Sequence, residues 1–178
     1  MQAPTLQTER LILRAPTRED FDAYAESCAD PEVMRHLGGV QPRSVAWRGF
    51  TGMAGSWALQ GFGMFSVIER SSGRWIGRIG PHRPEGWPGN EVGWGLAREA
   101  WGKGYACEAA AASMDFAVDR LGWSEIIHCI DSGNIASQKV AQRLGSSLTG
   151  VGRMPPPNEA DIDIWSQTAA QWRERRRS

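Results

Sequence analysis

The sequence predicts an α/β fold in which helices cover a mixed β-sheet. Three observations support this prediction. Apolar segments of strand length recur along the chain, stretches with helical apolar spacing separate them, and glycine- or proline-rich turns lie between them. The predicted order is strand, helices, three strands, helix, strand, helix and strands, which is typical of an α/β sandwich.

Seven segments have the composition of strands. They include the alternating ERLILRA near the N-terminus and the apolar SEIIHCID farther along the chain. Ser71-Ser72-Gly73 predicts a hairpin between the second and third of them. The predicted strands are residues 9–15, 62–70, 74–80, 90–97 and 124–131, with weaker signals at 146–152 and 160–166.

Helix starts are indicated at Thr17, which with Asp20 resembles a capping box, and at Asp30-Pro31. Gly145 is placed to end the last predicted helix. The predicted helices cover a segment containing 21–28, a short segment from 31, then 44–59, a stretch from the WGKG segment to about 121, and 134–144.

The composition bounds the domain organisation and the class of protein. The 178 residues show no break in composition, so we expect one domain over residues 1–178. Lys and Arg total 20, as do Asp and Glu, which gives no support to binding of nucleic acid or a membrane surface. The basic segment at about 172–178 is interpreted as a solvated tail.

The cysteines and the N-terminal segment bear on location. Cys28, Cys107 and Cys129 have neither zinc-site spacing nor an even count, which favours a reduced chain and no metal site. The N-terminal segment lacks an apolar signal core, and no apolar run approaches the about 20 residues that span a bilayer. We therefore expect a cytoplasmic protein without a membrane partner.

The segment WGKGYACE, residues 101–108, places glycines on both sides of Lys103 where a helix begins. The first amides of a helix have no internal acceptor, and glycine lets the backbone approach a phosphate closely. A Walker A loop is absent because Lys103 is followed by Gly104 and not by Ser or Thr. A dinucleotide fingerprint is incomplete because Cys107 stands at the position of its third glycine. The loop is either a phosphate cradle or a plain glycine-rich helix start.

The wider pattern favours the phosphate cradle. EVGWGLAREAWGKGYACEA (91–109) and NIASQKVAQRLG (134–145), supported by TERLILRAPTRED (8–20) and DPEVMRHLGG (30–39), resemble the GNAT acetyltransferase superfamily. The most similar branch is that of the ribosomal-protein N-terminal acetyltransferases. The resemblance covers residues 7 to about 166. It implies a mostly antiparallel central sheet of about six to seven strands, with two splayed central strands and helices on its faces.

The resemblance also implies acetyl-CoA as cosubstrate, bound between the predicted strands 90–97 and 124–131. The pantetheine arm would follow the first of these strands. The implied contacts are Trp94, Gly95 and Leu96 for pantetheine, Gly102, Lys103, Gly104, Tyr105, Ala106 and Cys107 for pyrophosphate, and Asn134 and Ser137 beside the arm. One position departs from the superfamily: Glu99 stands where Gln or Arg is common, and a carboxylate there is unfavourable unless it points away.

Acetyl transfer to an amine requires a neutral amine and a proton for the departing thiolate. Many superfamily members supply that proton from a tyrosine in the helix after the second splayed strand, but Tyr24 and Tyr105 lie elsewhere. Ser137 is the available polar group, and its alternative role is to satisfy a backbone amide in the first helical turn. Asn134 either holds the pantetheine arm or acts as a plain N-cap.

Glu91 is the candidate base, because it opens the strand that would carry acetyl-CoA and alternates with Gly93 and Gly95. It would accept the amine proton directly or through water, and on this interpretation Glu91→Gln is most damaging at low pH. The alternative is a solvated carboxylate at a strand end. His82 and His36 are rival bases in predicted loops.

Two further residues are weaker candidates for a catalytic role. His128 lies in a buried strand pattern and is interpreted as a core histidine. Cys107 could form an acyl-enzyme at a helix start, but no histidine is near it in sequence, so packing is the favoured explanation.

The leading hypothesis is an acetyl-CoA-dependent N-acetyltransferase that acts by direct attack in a ternary complex. The acceptor would be a primary amine, either a protein N-terminus or a small molecule, entering between the loops at 36–43, 81–90 and 153–161. The alternatives are a non-catalytic acyl-CoA-binding protein, a nucleotide-binding protein of another fold, and use of another donor such as succinyl-CoA. Nine tryptophans leave room for a homodimer contact.

Overall fold

A computed structural model describes residues 3–156 and 159–177. The order of its strands and helices follows the predicted order, with a short strand added at the start and a helix at the end. The strands are β1 (Leu6–Gln7), β2 (Leu11–Arg14), β3 (Phe65–Glu69), β4 (Trp75–His82), β5 (Glu91–Leu96), β6 (Glu125–Ile130), β7 (Ser147–Arg153) and β8 (Asp161–Thr168). The helices are α1 (Phe21–Ala29), α2 (Pro31–Met34), α3 (Arg43–Gln60), α4 (Tyr105–Asp119), α5 (Ile135–Leu144) and α6 (Ala169–Arg177).

The strands form one sheet in the order β1-β2-β3-β4-β5-β6-β8-β7. Every pair is antiparallel except β5 and β6, which are parallel. The predicted mixed, mostly antiparallel sheet is confirmed, but its eight strands exceed the six to seven expected. The extra strand is β1, where Leu6 and Gln7 pair with Leu13 and Ile12, because two residues are too few to show a strand pattern in sequence.

The two central strands separate after a single paired position, Glu91 with Ile127. In a continued parallel ladder the amide of Cys129 would donate to the carbonyl of Val92. Instead the Cys129 amide donates to Glu91 Oε1 at 3.0 Å, and the Val92 carbonyl accepts from His128 Nδ1 at 2.7 Å. Side chains thus replace backbone partners at this point, and β5 and β6 splay apart to form a wedge.

Helix α4 packs against the sheet beside this wedge. Its inner face combines larger residues, such as Phe116 packed on Phe65 of β3, with four fully buried residues that are mostly small: Ala109, Ala110, Met114 and Ala117. Small side chains bring the helix axis close to the strands, so the N-terminus of α4 is held at a fixed distance from the end of β5. No helix in the described ranges is long and apolar enough to cross a bilayer.

The basic segment at about 172–178, predicted to be a solvated tail, is helical over residues 172–177, which belong to α6. Arg173 to Arg177 are exposed there, whereas Trp172 is buried. Trp172 is 3% exposed, and its indole nitrogen donates to Asp115 of α4 at 2.9 Å. Arg176 pairs with the same Asp115 at 2.9 Å, and Arg173 pairs with Asp119 at 3.3 Å. A single apolar residue among arginines gives no helical periodicity, which is why the sequence did not reveal this packing. Residue 178 lies outside the described residues.

Candidate active site

The glycine cradle, residues 102–107, has the conformation that its sequence predicted. Gly102 and Gly104 have φ values of +74° and +80°, which favour glycine, and Gly104 is the N-cap of α4 without a side-chain cap. The amide of Glu108 donates to the Gly104 carbonyl at 3.2 Å. The amides before Glu108 therefore precede the first helical hydrogen bond of α4 and are available to an anion.

Arg10 fixes the cradle to strand β2 and was not singled out by the sequence. Its guanidinium pairs with Glu108 at 2.6 Å, donates to the Lys103 carbonyl at 2.9 Å and lies 4.6 Å from the centre of the Tyr105 ring. Thr8 also donates to Glu108, at 2.6 Å. Arg10 therefore holds the cradle in place through the backbone of the cradle, and Glu108 compensates the charge of Arg10.

Two side chains of this region point away from the cradle. Glu99 pairs with Arg74 of the β3–β4 hairpin at 3.3 Å, and both are more than half exposed. The concern that its carboxylate would oppose a phosphate is thereby removed. The hydroxyl of Tyr105 donates to Glu69 at 2.7 Å, so this tyrosine is engaged at the end of β3.

Asn134 and Ser137 lie at the start of α5, on the β6 side of the wedge. The Asn134 side chain accepts from the Ser137 amide at 3.1 Å, so Asn134 is an N-cap, as one interpretation predicted. The Ser137 hydroxyl does not satisfy a backbone amide. It accepts a hydrogen bond from Trp94 Nε1 at 3.2 Å, which leaves its own proton free to donate into the wedge.

Strand β5 supplies Trp94, Gly95 and Leu96, the predicted pantetheine contacts. Trp94 is partly exposed, and its ring lies 4.8 Å from the ring of His128. Leu96 is buried, and its carbonyl already accepts from Trp101 Nε1 at 2.9 Å. Trp94 is therefore open to the wedge, whereas the Leu96 carbonyl is already engaged by Trp101.

Glu91 is 6% exposed, so the alternative of a solvated carboxylate is wrong. Its Oε2 accepts from Trp87 Nε1 at 2.6 Å and its Oε1 from the Cys129 amide at 3.0 Å. Burial raises the pKa of Glu91 to about 7, although these two hydrogen bonds and the charge of Arg78 oppose the rise. Glu91 can therefore exchange a proton close to neutral pH.

His82 and His36, the rival bases, have different surroundings. His82 ends β4 with its ring 4.7 Å from the Trp87 ring, and burial together with Arg78 lowers its pKa to about 4. His36 Nδ1 lies 3.0 Å from an Asp131 carboxylate oxygen. The low pKa of His82 makes it a weak base at neutral pH.

His128 is a core histidine, as predicted, with 1% exposure. Its Nδ1 must donate to the Val92 carbonyl, so Nε2 accepts from Ser146 at 3.0 Å, while Gln167 donates to Ser146 at 2.7 Å. Burial lowers the pKa of His128 to about 4, and the imidazole is neutral in this network.

The wedge opens into a pocket of ≈ 530 Å³ that we call the acceptor pocket. This volume suits a small molecule or the end of a peptide. Its lining includes the predicted residues Glu91, Trp94, Asn134 and Ser137, and also Arg78 and Met64. The glycine cradle is not part of this lining. Of the predicted mouth loop 153–161, Met154, Ala160 and Asp161 line the pocket, and residues 157–158 lie outside the described residues.

Two other chemistries find no support here. Within the described residues, no group of three or more His, Cys, Asp or Glu side chains could hold a metal ion. Among the described residues, the hydrogen bonds of the histidines go to Asp131, Val92 and Ser146, and none goes to Cys107, so the covalent route has no histidine partner for this thiol.

Comparisons with known proteins identify the family. Residues 10–147 match the acetyltransferase (GNAT) domain. The chain is 31% identical over 152 residues to the N-acetyltransferase p20 of Bacillus licheniformis, itself uncharacterized, with 84% of this chain and 85% of p20 covered. The chain therefore belongs to the GNAT acetyltransferase family, and it is an N-acetyltransferase.

Solved structures agree with this assignment. An acetyltransferase from Agrobacterium tumefaciens superposes with a TM-score of 0.83 and 31% identity, covering 94% of this chain and 95% of the other. RimL, a ribosomal-protein alpha-N acetyltransferase, superposes with a TM-score of 0.77 over 93% of this chain and 94% of its own, at 15% identity. At that identity RimL supports the shared fold alone.

Proposed function

We propose that the protein transfers the acetyl group of acetyl-CoA directly to a primary amine, with Glu91 as base and Ser137 as acid. The observation that carries this proposal is the buried Glu91 at the apex of the wedge, with a pKa of about 7. A proton acceptor of this strength is suited to an amine that must lose a proton at neutral pH.

The residues fit acetyl-CoA at three places. The cradle amides, with Lys103, would hold the pyrophosphate, because helix-start amides and a cation favour an anion. The splayed edge of β5 at the Trp94 backbone would pair with the pantetheine arm. Asn134 and Ser137 would close the other side of the wedge.

In the reaction, the neutral amine nitrogen forms a bond to the thioester carbon, and the carbon–sulfur bond breaks. The amine proton passes to Glu91, directly or through one water. The Ser137 hydroxyl gives its proton to the departing thiolate and is reprotonated from solvent. The indole of Trp94 stabilises Ser137 in this step by donating to its oxygen.

We rank a peptide N-terminus first among acceptors. Its α-amine has a pKa near ~7.8, against ~10.4 for lysine, so a far larger fraction is neutral at pH 7. The proton then moves between two groups whose pKa values differ by about one unit, since that of Glu91 is about 7. Because a substantial fraction of the α-amine is already neutral, a base as weak as Glu91 suffices for such an acceptor.

The test is an acceptor panel on the purified protein with release of CoA thiol as the readout. The panel holds short peptides with free or blocked N-termini, spermidine and an aminoglycoside, each with acetyl-CoA and with succinyl-CoA. We expect acetyl transfer to free N-termini. Transfer only to the small amines would contradict the acceptor, transfer only from succinyl-CoA would contradict the donor, and no transfer would contradict the function.

A further inference from the structure

Arg78 lies in the acceptor pocket without a role in the mechanism above. It is the residue of β4 that pairs with Gly95 of β5, and cross-strand partners share a face of the sheet. Glu91 and Gly93 alternate with Gly95, so they share that face too. Because Gly93 and Gly95 carry no side chains, β5 itself contributes none to this face between Arg78 and Glu91.

One methionine separates Arg78 from Glu91. Arg78 Nη1 lies 3.1 Å from the sulfur of Met64. A Cβ atom built on Gly93 would lie 3.3 Å from Met64 Cε and 3.3 Å from Glu91 Oε1. The guanidinium and the carboxyl group therefore lie at two ends of one continuous floor, within reach of a single small molecule.

The charge of Arg78 has no counter-ion among the described residues. Its one hydrogen bond goes to the Met64 sulfur, a weak acceptor, and the ring of Tyr24 lies 5.9 Å from its guanidinium carbon. The contrast is Arg35 at the rim of the same pocket, which pairs with Glu32 at 2.6 Å. Arg78 is also half-buried, so part of its hydration is lost without a compensating carboxylate.

The other titratable groups of the pocket do not supply that carboxylate. His82 and His128 are neutral, and Glu91 has a pKa of about 7 and is held by Trp87 and Cys129. Asp131 accepts from the Gly133 amide at 2.8 Å and lies beside His36, and Asp161 pairs with Arg153 at 3.7 Å. A planar guanidinium with most of its five donors free matches an oxyanion in two-pronged geometry.

We propose that Arg78 recognises a carboxylate of the acceptor, so that the substrate is an amine with a carboxylate close to it. The proposal rests on the proposed function and names its substrate class. A free amino acid and a peptide with an acidic residue at its N-terminus present the same chemistry. Arg78 is thus a specificity-determining residue, and Glu91 receives the proton at the other end of the floor.

The turnover experiment compares matched acceptors in wild type, Arg78→Met and the control Arg35→Met. Each pair differs only in the anion: a free amino acid and its carboxamide, and an Asp-initiated and an Asn-initiated peptide. We expect wild type to prefer the carboxylate in at least one pair by tenfold or more in kcat/KM, through KM. Arg78→Met should lose that preference, whereas Arg35→Met should keep it. Because the charge of Arg78 holds the pKa of Glu91 down, each variant is compared with wild type on the alkaline plateau of its own pH profile.

A binding experiment needs no turnover. Calorimetry with CoA present compares the binding of N-acetylated amino acids with that of their carboxamides on the same variants. Wild type and Arg35→Met should bind the carboxylate at least tenfold more tightly than the carboxamide. Arg78→Met should bind the two forms with equal affinity. Arg78→Lys, which keeps the charge but not the fork, should show an intermediate preference.

Several results would overturn the proposal. The first is that wild type shows no preference for the carboxylate acceptor, or binds no carboxylate. The second is that the preference survives in Arg78→Met. The third is that Arg78→Met loses kcat/KM equally for the carboxylate acceptor and its uncharged partner, which would indicate a structural role. Carboxylate binding without turnover of any amine would contradict the proposed function and leave Arg78 supported. Turnover without a carboxylate preference would contradict the Arg78 site alone.

Discussion

The glycine cradle and the acceptor pocket are built from different materials. The cradle consists of backbone amides and glycines with positive φ, and it is held in place by the Arg10–Glu108 pair at the surface. The acceptor pocket consists of side chains, among them the buried Glu91 and the half-buried Arg78. Donor binding should therefore tolerate side-chain changes, whereas acceptor chemistry should depend on single side chains.

The largest effect is expected from Glu91→Gln. Removing the base should lower kcat/KM by about 10²-fold or more above pH 7. Below pH 7 the wild-type Glu91 carboxyl becomes protonated, so the two enzymes should converge there. This reverses the sequence-based expectation of greatest damage at low pH, which did not include the raised pKa. The measurement is the pH profile of both enzymes.

Glu99→Gln is the matched control, because Glu99 is exposed and paired with Arg74 outside the pocket. It should follow the wild-type profile. Thermal unfolding must show that Glu91→Gln is folded, since the amide replaces one of two accepting oxygens and costs about 1–3 kcal/mol. A folded Glu91→Gln with a wild-type profile would remove Glu91 from the mechanism.

The next effect is that of Ser137→Ala. Loss of the proton donor should lower kcat by up to about 10²-fold, while the affinity for acetyl-CoA measured by calorimetry stays close to wild type. Ser132→Ala, in the exposed turn before α5, is the control and should behave as wild type. An unchanged kcat across the pH range would assign protonation of the thiolate to water.

A smaller effect is expected on the donor side from Gly104→Ala. A Cβ at this position of the cradle should weaken acetyl-CoA binding by about tenfold, which is about 1.4 kcal/mol. Gly122→Ala is the control, because Gly122 has a φ of +70° and a Cβ there would meet nothing within 4 Å. Both variants should lose about 1–2 kcal/mol of stability from the left-handed conformation. Equal affinities for acetyl-CoA in the two variants would contradict the cradle.

The smallest effect is expected from Trp87→Phe. The indole of Trp87 donates to Glu91, and this hydrogen bond holds the pKa of Glu91 down. Without it the acid limb of kcat/KM should move to higher pH, with little change in the maximal rate. The pH profile measures the shift, and a limb that stays in place or moves to lower pH would contradict the assignment of that limb to Glu91.

The two regions also differ in how far the sequence predicted them. Gly102, Gly104 and the helix start are local features, so the cradle could be located from its residues alone. The burial of Glu91 arises from Trp87 in a proline-rich loop and from a strand 38 residues away, and no local pattern reports such contacts. In the sequence Arg78 is one charged residue within a predicted strand, and nothing near it in sequence indicates that it lines a pocket.

The order of strands and helices along the chain and most of the helix starts were predicted, because apolar periodicity and turn residues determine them. The splay between strands 90–97 and 124–131 was implied by the family resemblance, and the order of the strands within the sheet was not predicted. The two-residue β1 and the packing of Trp172 in α6 were missed, since both depend on contacts distant in sequence. The single domain, the cytoplasmic location and the homodimer stay predictions.

The protonation of Glu91 can be measured directly by titrating its side-chain carboxyl group. In protein with ¹³C-labelled glutamate, the side-chain carboxyl resonance that disappears in Glu91→Gln is assigned to this residue, and its chemical shift is followed from pH 4 to pH 9. We expect a midpoint near pH 7, because the group is buried at the apex of the wedge. A midpoint near ~4.3, the value of a solvated glutamate, would contradict it.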